Sequence, residues 1–416
     1  MSIITKHQQS SYGTHHTRST ARGSGPFSKP RHQFIITLLT TIHLLCGKVN
    51  FTNLSRYSDL SERTYRRQYD EPFGFMSVNR CLIAQAISSE RFQVAAIDCS
   101  FIPHSGKATY GIDRFYNGKA SRSERGLEIS TIAVVDVDAP MAYALSAQQT
   151  PATDDEAASD AKGISRIDHY LAHVKKSVSA LPASVRYLVG DGAYSTHKWV
   201  SGILALGLDV IGKLRCDADL RYVYEGKQKA RGARRKYDGK VYVDDLSRWQ
   251  ALGEVSPGVS LFTAIVWSIN LKRKIRVVYL VNQRNPQKPC TALLFSTDLE
   301  LEALKLYKAY RARFQIEFIF REAKQFTGLS DAQARSQQKL DFHFNASLSA
   351  LNLAKWEAYQ GRDKTQPFVF SMASYKRRKL NQHLMERFIR NLDLDGTLIK
   401  SHPEYQTLCN YGSLVS

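Results

Sequence analysis

The pattern of apolar and polar positions divides the chain into a helical beginning, an alternating middle and a helical end. Apolar residues from Phe34 to Cys46 recur at helical spacing, Gly47 breaks the run, and Phe51–Tyr57 reads as a second short helix. Ser58-Asp59-Leu60-Ser61 makes a turn, and Ser61 is placed to cap a helix carrying Arg63, Tyr65, Arg66 and Arg67. From Phe92 the period shortens. Phe92–Ile102, Glu128–Val137, Ala142–Gln148, Arg186–Val189 and Val210–Leu214 read as strands, with helices at Ile167–Ala180 and Thr196–Leu206. Strand patterns then dominate, at Tyr222–Tyr224, Val241–Val243, Leu261–Ser268, Ile275–Val281 and Thr291–Phe295. A long helix begins near Leu299, followed by helices over Leu340–Tyr359 and Met372–Asn391.

These elements predict four regions. Residues 1–30, rich in Ser, Thr, His, Gly and basic residues, form a disordered basic arm. Residues 31–90 form a helical unit whose short helix, turn and basic helix make a helix-turn-helix pattern, with Arg63, Arg66 and Arg67 as candidates for reading DNA ends. A plain helical hairpin is the alternative. Residues 91–330 have the order β-β-β-α-β-α-β, with acids after the first and fourth strands, which is that of a ribonuclease-H-like α/β core. An antiparallel β-rich insertion, 216–297, interrupts it, and 331–416 is a helical C-terminal region.

Composition adds a partner class. The chain has 58 Lys and Arg against 38 acids, a formal charge of +20, and the excess recurs in several segments, including Lys227–Lys240 and Tyr375–Lys379. A distributed field of that sign favours a polyanion, most simply nucleic acid. The six cysteines are scattered without a C-x-x-C pair, which fits a reducing cytoplasm and argues against a disulfide framework or zinc ribbon. Phe34–Leu45 is too short to span a bilayer, and a polar leader precedes it with no small-residue cleavage site after it, so no membrane role is expected.

Candidate chemistry centres on acids among cations. Tyr310, Arg313, Glu317 and Lys324 read Y-x2-R-x3-E-x6-K, and on one continuous helix they share a stripe roughly 60° wide. Asp98 closes the first strand, and Asp191 sits in a Gly190-Asp191-Gly192 turn after the fourth, where small neighbours allow close approach. Three converging carboxylates repel unless cations join them, and oxygen ligands favour Mg²⁺ with Mn²⁺ as a substitute. Two such ions about 3.5–4 Å apart suit phosphodiester cleavage. Arg313 and Lys324 are expected to grip phosphate and Tyr310 to offer it a hydroxyl. Asp113, Asp136, Asp138, Asp209 and Asp219 are rival acids, His104 a surface histidine, and Trp249 and Trp267 core residues.

On these residues the chain resembles the DDE transposases of bacterial insertion sequences, and more narrowly the insertion-sequence-four group. The signature of that group is matched by Tyr310, Arg313, Glu317 and Lys324, with looser likeness in Ile97–Phe101, Gly190–Tyr194 and Asn53–Ser58. The resemblance implies a ribonuclease-H-like core in which Asp98, Asp191 and Glu317 hold two Mg²⁺ ions. It implies cut-and-paste transposition at terminal inverted repeats of double-stranded DNA, through a hairpin intermediate, with joining to target DNA. A homodimer in the synaptic complex and a bacterial, nucleoid-associated location are implied as well. A transposase-derived protein that only binds DNA, and another ribonuclease-H-like nuclease, are the alternatives.

Overall fold

In the computed structural model the described residues are 29–139, 141–152, 165–285, 287, 290–362, 365 and 368–414. The expected basic arm therefore lies outside the described residues up to residue 28, while Lys29 and Pro30 already open a helix, α1 (Lys29–Leu44). The chain divides into compact units Met1–Leu38 and Leu39–Ser416. Of the first unit the described part is the start of α1, where Arg31 stacks over Phe34 at 5.4 Å.

The second unit starts within α1 and continues with α2 (Phe51–Arg56), α3 (Glu62–Gln68) and α4 (Phe75–Ala86). Asn50 caps α2 and Ser61 caps α3, each side chain accepting from the backbone N–H three residues on. Gly47, at φ +88°, separates α1 from α2.

Next come β1 (Gln93–Pro103), β2 (Asp113–Asn117), β3 (Arg122–Asp136), β4 (Met141–Gln149), α5 (Arg166–Ser177), β5 (Tyr187–Val189), α6 (His197–Leu204) and β6 (Asp209–Leu214). Strand order through this part is β4-β3-β1-β5-β6, with β1, β5 and β6 parallel and β3 antiparallel to its neighbours. That mixed sheet with helices on both faces is compatible with a ribonuclease-H-like core. It also explains why β1 reads as a continuous apolar run: Val94 and Ala96 face one core cluster, Ala95 and Ile97 the other. The first layer is completed by the helices after residue 300, the second by α4, α5 and α6 with Trp199 fully buried.

The β-rich segment does not leave this sheet. Its strands, β7 (Leu220–Val223), β8 (Tyr237–Lys240), β9 (Gln250–Ser256), β10 (Val259–Ser268), β11 (Arg273–Asn282) and β12 (Cys290–Ser296), extend it, because β12 pairs antiparallel with β6 and passes the order on through β11, β10, β7 and β8. Three details differ from the sequence reading. Strand β8 lies just before Val241–Val243. β9, whose residues are mostly exposed, and the short β2 carry little apolar periodicity and escape it.

The last helices are α7 (Ala303–Ala312), α8 (Gln315–Glu322), α9 (Gln337–Gln360), α10 (Met372–Asn391), α11 (Gly396–Ser401) and α12 (Pro403–Cys409). The expected single long helix is two. At the joint, Phe314 N–H donates to Arg311 O and Glu317 N–H to Phe314 O, three residues back instead of four, which tightens the turn and re-phases the second helix against the first. After α8 a π-turn, Ala323–Thr327, ends at Gly328 with φ +80°. A Cβ there would stand 2.3 Å from the Val49 Cβ, so glycine is required by space as well as by φ. Among the described residues no helix is long and apolar enough to cross a membrane.

Helix α9 runs beside the outer edge of β4. Asn345 accepts from Ala147 N–H and donates to Ala147 O, both at 3.0 Å. Asn352 does the same for Ala144 at 3.0 and 2.7 Å, and Lys355 donates to Ala142 O at 3.4 Å. Seven helical residues rise about 10.5 Å and three strand residues about 10 Å, so the two asparagines keep step with the strand. Asn79 of α4 completes the edge by donating to Leu145 O at 3.1 Å.

Part of the C-terminal basic cluster is structural. Tyr375 is buried, Lys376 donates to the carbonyls of Ile42 and Phe326 at 2.8 Å, and Lys379 pairs with Glu357 at 2.7 Å.

Candidate active site

Asp98 does not close β1, as the sequence suggested, but sits inside it. Parallel pairing of β1 with β5 ends at Ala96↔Val189, so Asp98 lies two residues beyond that pairing while β1 continues against β3. It thus occupies the carboxyl edge of the parallel strands without ending a strand. Asp191 follows β5 at the same edge and folds back on its own turn, accepting from Ala193 N–H at 2.9 Å.

Arg313, at the joint between α7 and α8, lies between the acids. Its Nη1 donates to Asp98 Oδ2 at 2.8 Å and its Nη2 reaches Glu317 Oε1 at 3.4 Å. The pair is sheltered, with side-chain exposures of 13% for Arg313 and 20% for Asp98. Burial pushes the Asp98 carboxyl up to about 6, Arg313 draws it back down, and Asp191 adds to the rise. Burial works against the charge of Arg313, but Asp98, Tyr310, Glu317 and Asp191 together hold its pKa above the usual value. Burial raises the Tyr310 phenol, Arg313 opposes that, and Asp191 and Asp98 reinforce it.

Four of the expected residues and Asp191 therefore share one electrostatic neighbourhood centred on Arg313. Lys324 stands apart from the guanidinium, in the π-turn, donating to Phe101 O at 2.7 Å. Burial, helped by Lys119, lowers it to about 8. The four signature residues do not lie on one helix face. They are delivered by α7, a tightened joint, α8 and a π-turn.

Whether a divalent cation fits depends on the donors. Asp98, Asp191 and Glu317 supply only carboxylate oxygens, the chemistry that suits Mg²⁺ or Mn²⁺. Their placement is less direct. Among the described residues no three His, Cys, Asp or Glu side chains are grouped to hold a metal ion, and the guanidinium stands between Asp98 and Glu317.

The rival acids have structural partners. Asp136 pairs with Arg91 at 3.0 Å and caps the β3–β4 turn, and Asp138 accepts from Phe92 N–H. Asp209 accepts from the Thr297 hydroxyl, Asp113 lies 3.8 Å from Arg166, and Asp219 pairs with Arg221. His104 is hydrogen-bonded to Thr109. Trp249 is buried against Tyr279, and Trp267 is partly buried near Tyr237. In the N-terminal helices Arg63 and Arg67 are exposed, whereas Arg66 is tied to Glu62 and stacks over Phe51 at 4.9 Å.

Sequence reasoning missed what joins the aspartates. Cys99 Sγ meets the Tyr194 hydroxyl at 3.3 Å, linking the strand of Asp98 to the turn of Asp191. The Tyr170 hydroxyl also reaches Cys99, and it donates to buried Glu128 at 2.7 Å. Tyr194 lies within the Gly190–Tyr194 stretch, but nothing in sequence ties it to Cys99. Beside Asp191 opens a cleft of about 1180 Å³, lined by Asp191, Tyr310 and Arg313 together with Arg215, Asn270 and Thr291. Of the three acids Asp191 lines this cleft directly, while Asp98 and Glu317 meet it through Arg313.

Comparison with known proteins fits this geometry. No curated protein matches the chain. Residues 76–274, which hold Asp98 and Asp191 and end before Glu317, match the family described as DDE superfamily endonuclease. Over that span the chain is similar to DDE endonucleases, and the similarity supports an activity of the nuclease or transposase type.

Proposed function

We propose that the chain is a DDE transposase of the insertion-sequence-four type, which cuts DNA at the ends of a mobile element and joins those ends to a target. The observation that carries the reading is the grouping of Asp98, Glu317 and Tyr310 about Arg313, with Asp191, Tyr310 and Arg313 lining a cleft. The similarity of residues 76–274 to DDE endonucleases supports it independently.

The chain's own residues have separable tasks. Arg313 presents a planar fork that can hold two oxygens of one phosphate once it releases a carboxylate. Tyr310 offers a hydroxyl beside it, and Lys324 a point charge nearer β1. Asp98, Asp191 and Glu317 are the oxygen donors for divalent cations, Mg²⁺ or Mn²⁺. Such cations, when bound, activate the attacking oxygen and stabilise the leaving one. Arg63 and Arg67 of α3 are free to meet DNA, and Arg66 joins them if it leaves Glu62. Two copies would bring two ends together.

The test uses purified protein, Mg²⁺ and duplex DNA carrying the element's terminal repeats. Asp98→Asn, Asp191→Asn and Glu317→Gln each retain binding and lose nicking. Nicking that survives in Glu317→Gln removes the reading. A protein that binds DNA without cutting it is the second reading, favoured by the guanidinium standing where a cation is needed. Sequence-specific binding with no metal-dependent nicking selects it.

A further inference from the structure

We infer that the outward face of the β2–β3 hairpin is a docking surface for the backbone of duplex DNA, continuous with the acidic centre. This deepens the transposase reading and rests on it.

Strand register decides which side chains share that face. β2 continues the line of β1 along β3, since Pro103 and Asp113 both stand opposite Gly126. Residues that face each other across a ladder share a side of the sheet. Asp113, Phe115, Asn117, Arg122 and Glu124 therefore lie on one side, and Arg114, Tyr116, Ser123 and Arg125 on the other. The first side is apolar and mixed in charge: Phe115 is buried under Arg166, and Arg122 pairs with Glu124 at 2.7 Å. The second side carries no acid.

Arg114 and Arg125 stand directly opposite each other, and both are exposed. Like charges in that position are destabilising. Arg114 relieves part of the strain by donating to Ser123 O at 3.0 Å, and no acid pairs with Arg114, Lys119 or Arg125 among the described residues. Tyr116 beside them is 60% exposed. Two opposed cations with an exposed aromatic fit a polyanion that supplies the missing counter-charge, with the ring covering a sugar or base.

Register also sets the direction. Asp98 stands opposite Thr131 and Arg125 lies six residues along β3 on the same side, about 20 Å away. That is roughly six base pairs of B-form duplex at 3.4 Å each. Lys324 lies between, bound to Phe101 O, and Lys119 in the hairpin turn is near enough to influence it. A duplex leaving the acids would pass Lys324 and reach the arginine pair. Of the clusters noted from sequence, Lys376 and Lys379 have internal partners. The Lys227–Lys240 cluster belongs to the β7–β8 hairpin, where Arg235 is paired with Asp238, and so lies off the line that β1 and β2 share along β3.

The experiment measures binding of the full chain to element-end duplex over a range of salt. Arg114→Gln with Arg125→Gln should lower the slope of log K against log salt by about two. Lys175→Gln with Lys176→Gln, an equal charge change on α5 at the opposite face, should leave it unchanged. Melting temperature serves as the check on folding, and Arg125→Gln alone should not lower it, because it removes a repulsion. A hairpin slope equal to wild type, or a fall no larger than in the α5 variant, overturns the inference and leaves the transposase reading standing. Wild-type protein that binds no duplex at any salt sinks both.

Discussion

Replacing Arg313 by alanine probes the centre most directly. The substitution leaves Asp98 buried with no cation, a loss that costs about 3–5 kcal/mol when the carboxylate must stay charged. Asp98 can escape by taking a proton, so the penalty depends on pH. In the wild type its folded pKa is about 6 against an ordinary 3.8, so the folded state binds that proton more tightly than the unfolded chain. Stability from this group is therefore fully present below about pH 4 and is lost as pH rises through 6. The difference of about two pH units corresponds to about 3 kcal/mol. Removing Arg313 raises the folded pKa further and extends the loss to higher pH. Urea unfolding should then show a deficit of about 3–5 kcal/mol at pH 8, shrinking to about 1–2 kcal/mol at pH 5, where neutral Asp98 has lost only a hydrogen bond. The double variant Arg313→Ala with Asp98→Asn should recover most of the pH 8 deficit. A deficit of equal size at both pH values, or no recovery in the double variant, would refute the account of Arg313 as internal counter-ion.

Three further substitutions test other parts of the structure. Asp341 is pushed up to about 6 by burial, opposed by the Gln149 N–H, so its charge is a cost that grows as pH rises through 6; Asp341→Asn should add up to about 3 kcal/mol at pH 8 and little at pH 4 by urea titration. Asn352→Ala strips partners from Ala144 N–H, Ala144 O and Asn79 Oδ1, and calorimetry should show at least about 2 kcal/mol lost. Gly328→Ala brings a Cβ onto Val49 at a positive φ, and a fall in melting temperature equivalent to about 2 kcal/mol or more is expected.

Strands of the central sheet were legible where burial on both faces leaves an unbroken apolar run, as in β1, or where one buried face gives an alternating pattern, as in β10. β9 was not, since its residues are mostly exposed and, among the described residues, pair with β10 alone. Within the site, the identity of Tyr310, Arg313 and Glu317 as one group was readable from spacing, but for a reason that the structure revises. Their convergence comes from a tightened joint at Arg313–Phe314, which carries no glycine or proline to announce it. The salt bridge from Arg313 to Asp98 spans 215 residues, and no local pattern encodes such a contact. Cys99 with Tyr194 was hidden for the same reason.

The pairing of α9 with β4 has a consequence for how the chain is made. Ala144 and Asn352 are 208 residues apart, so the outer rim of β4 leaves the ribosome long before its partner exists. At about 5–20 residues per second, that interval is roughly 10–40 s. During it β4 carries bare backbone donors and acceptors, the condition under which strands recruit one another. Nascent chains halted before residue 337 should accordingly be the ones that holdase chaperones retain, and release should coincide with emergence of the two asparagines.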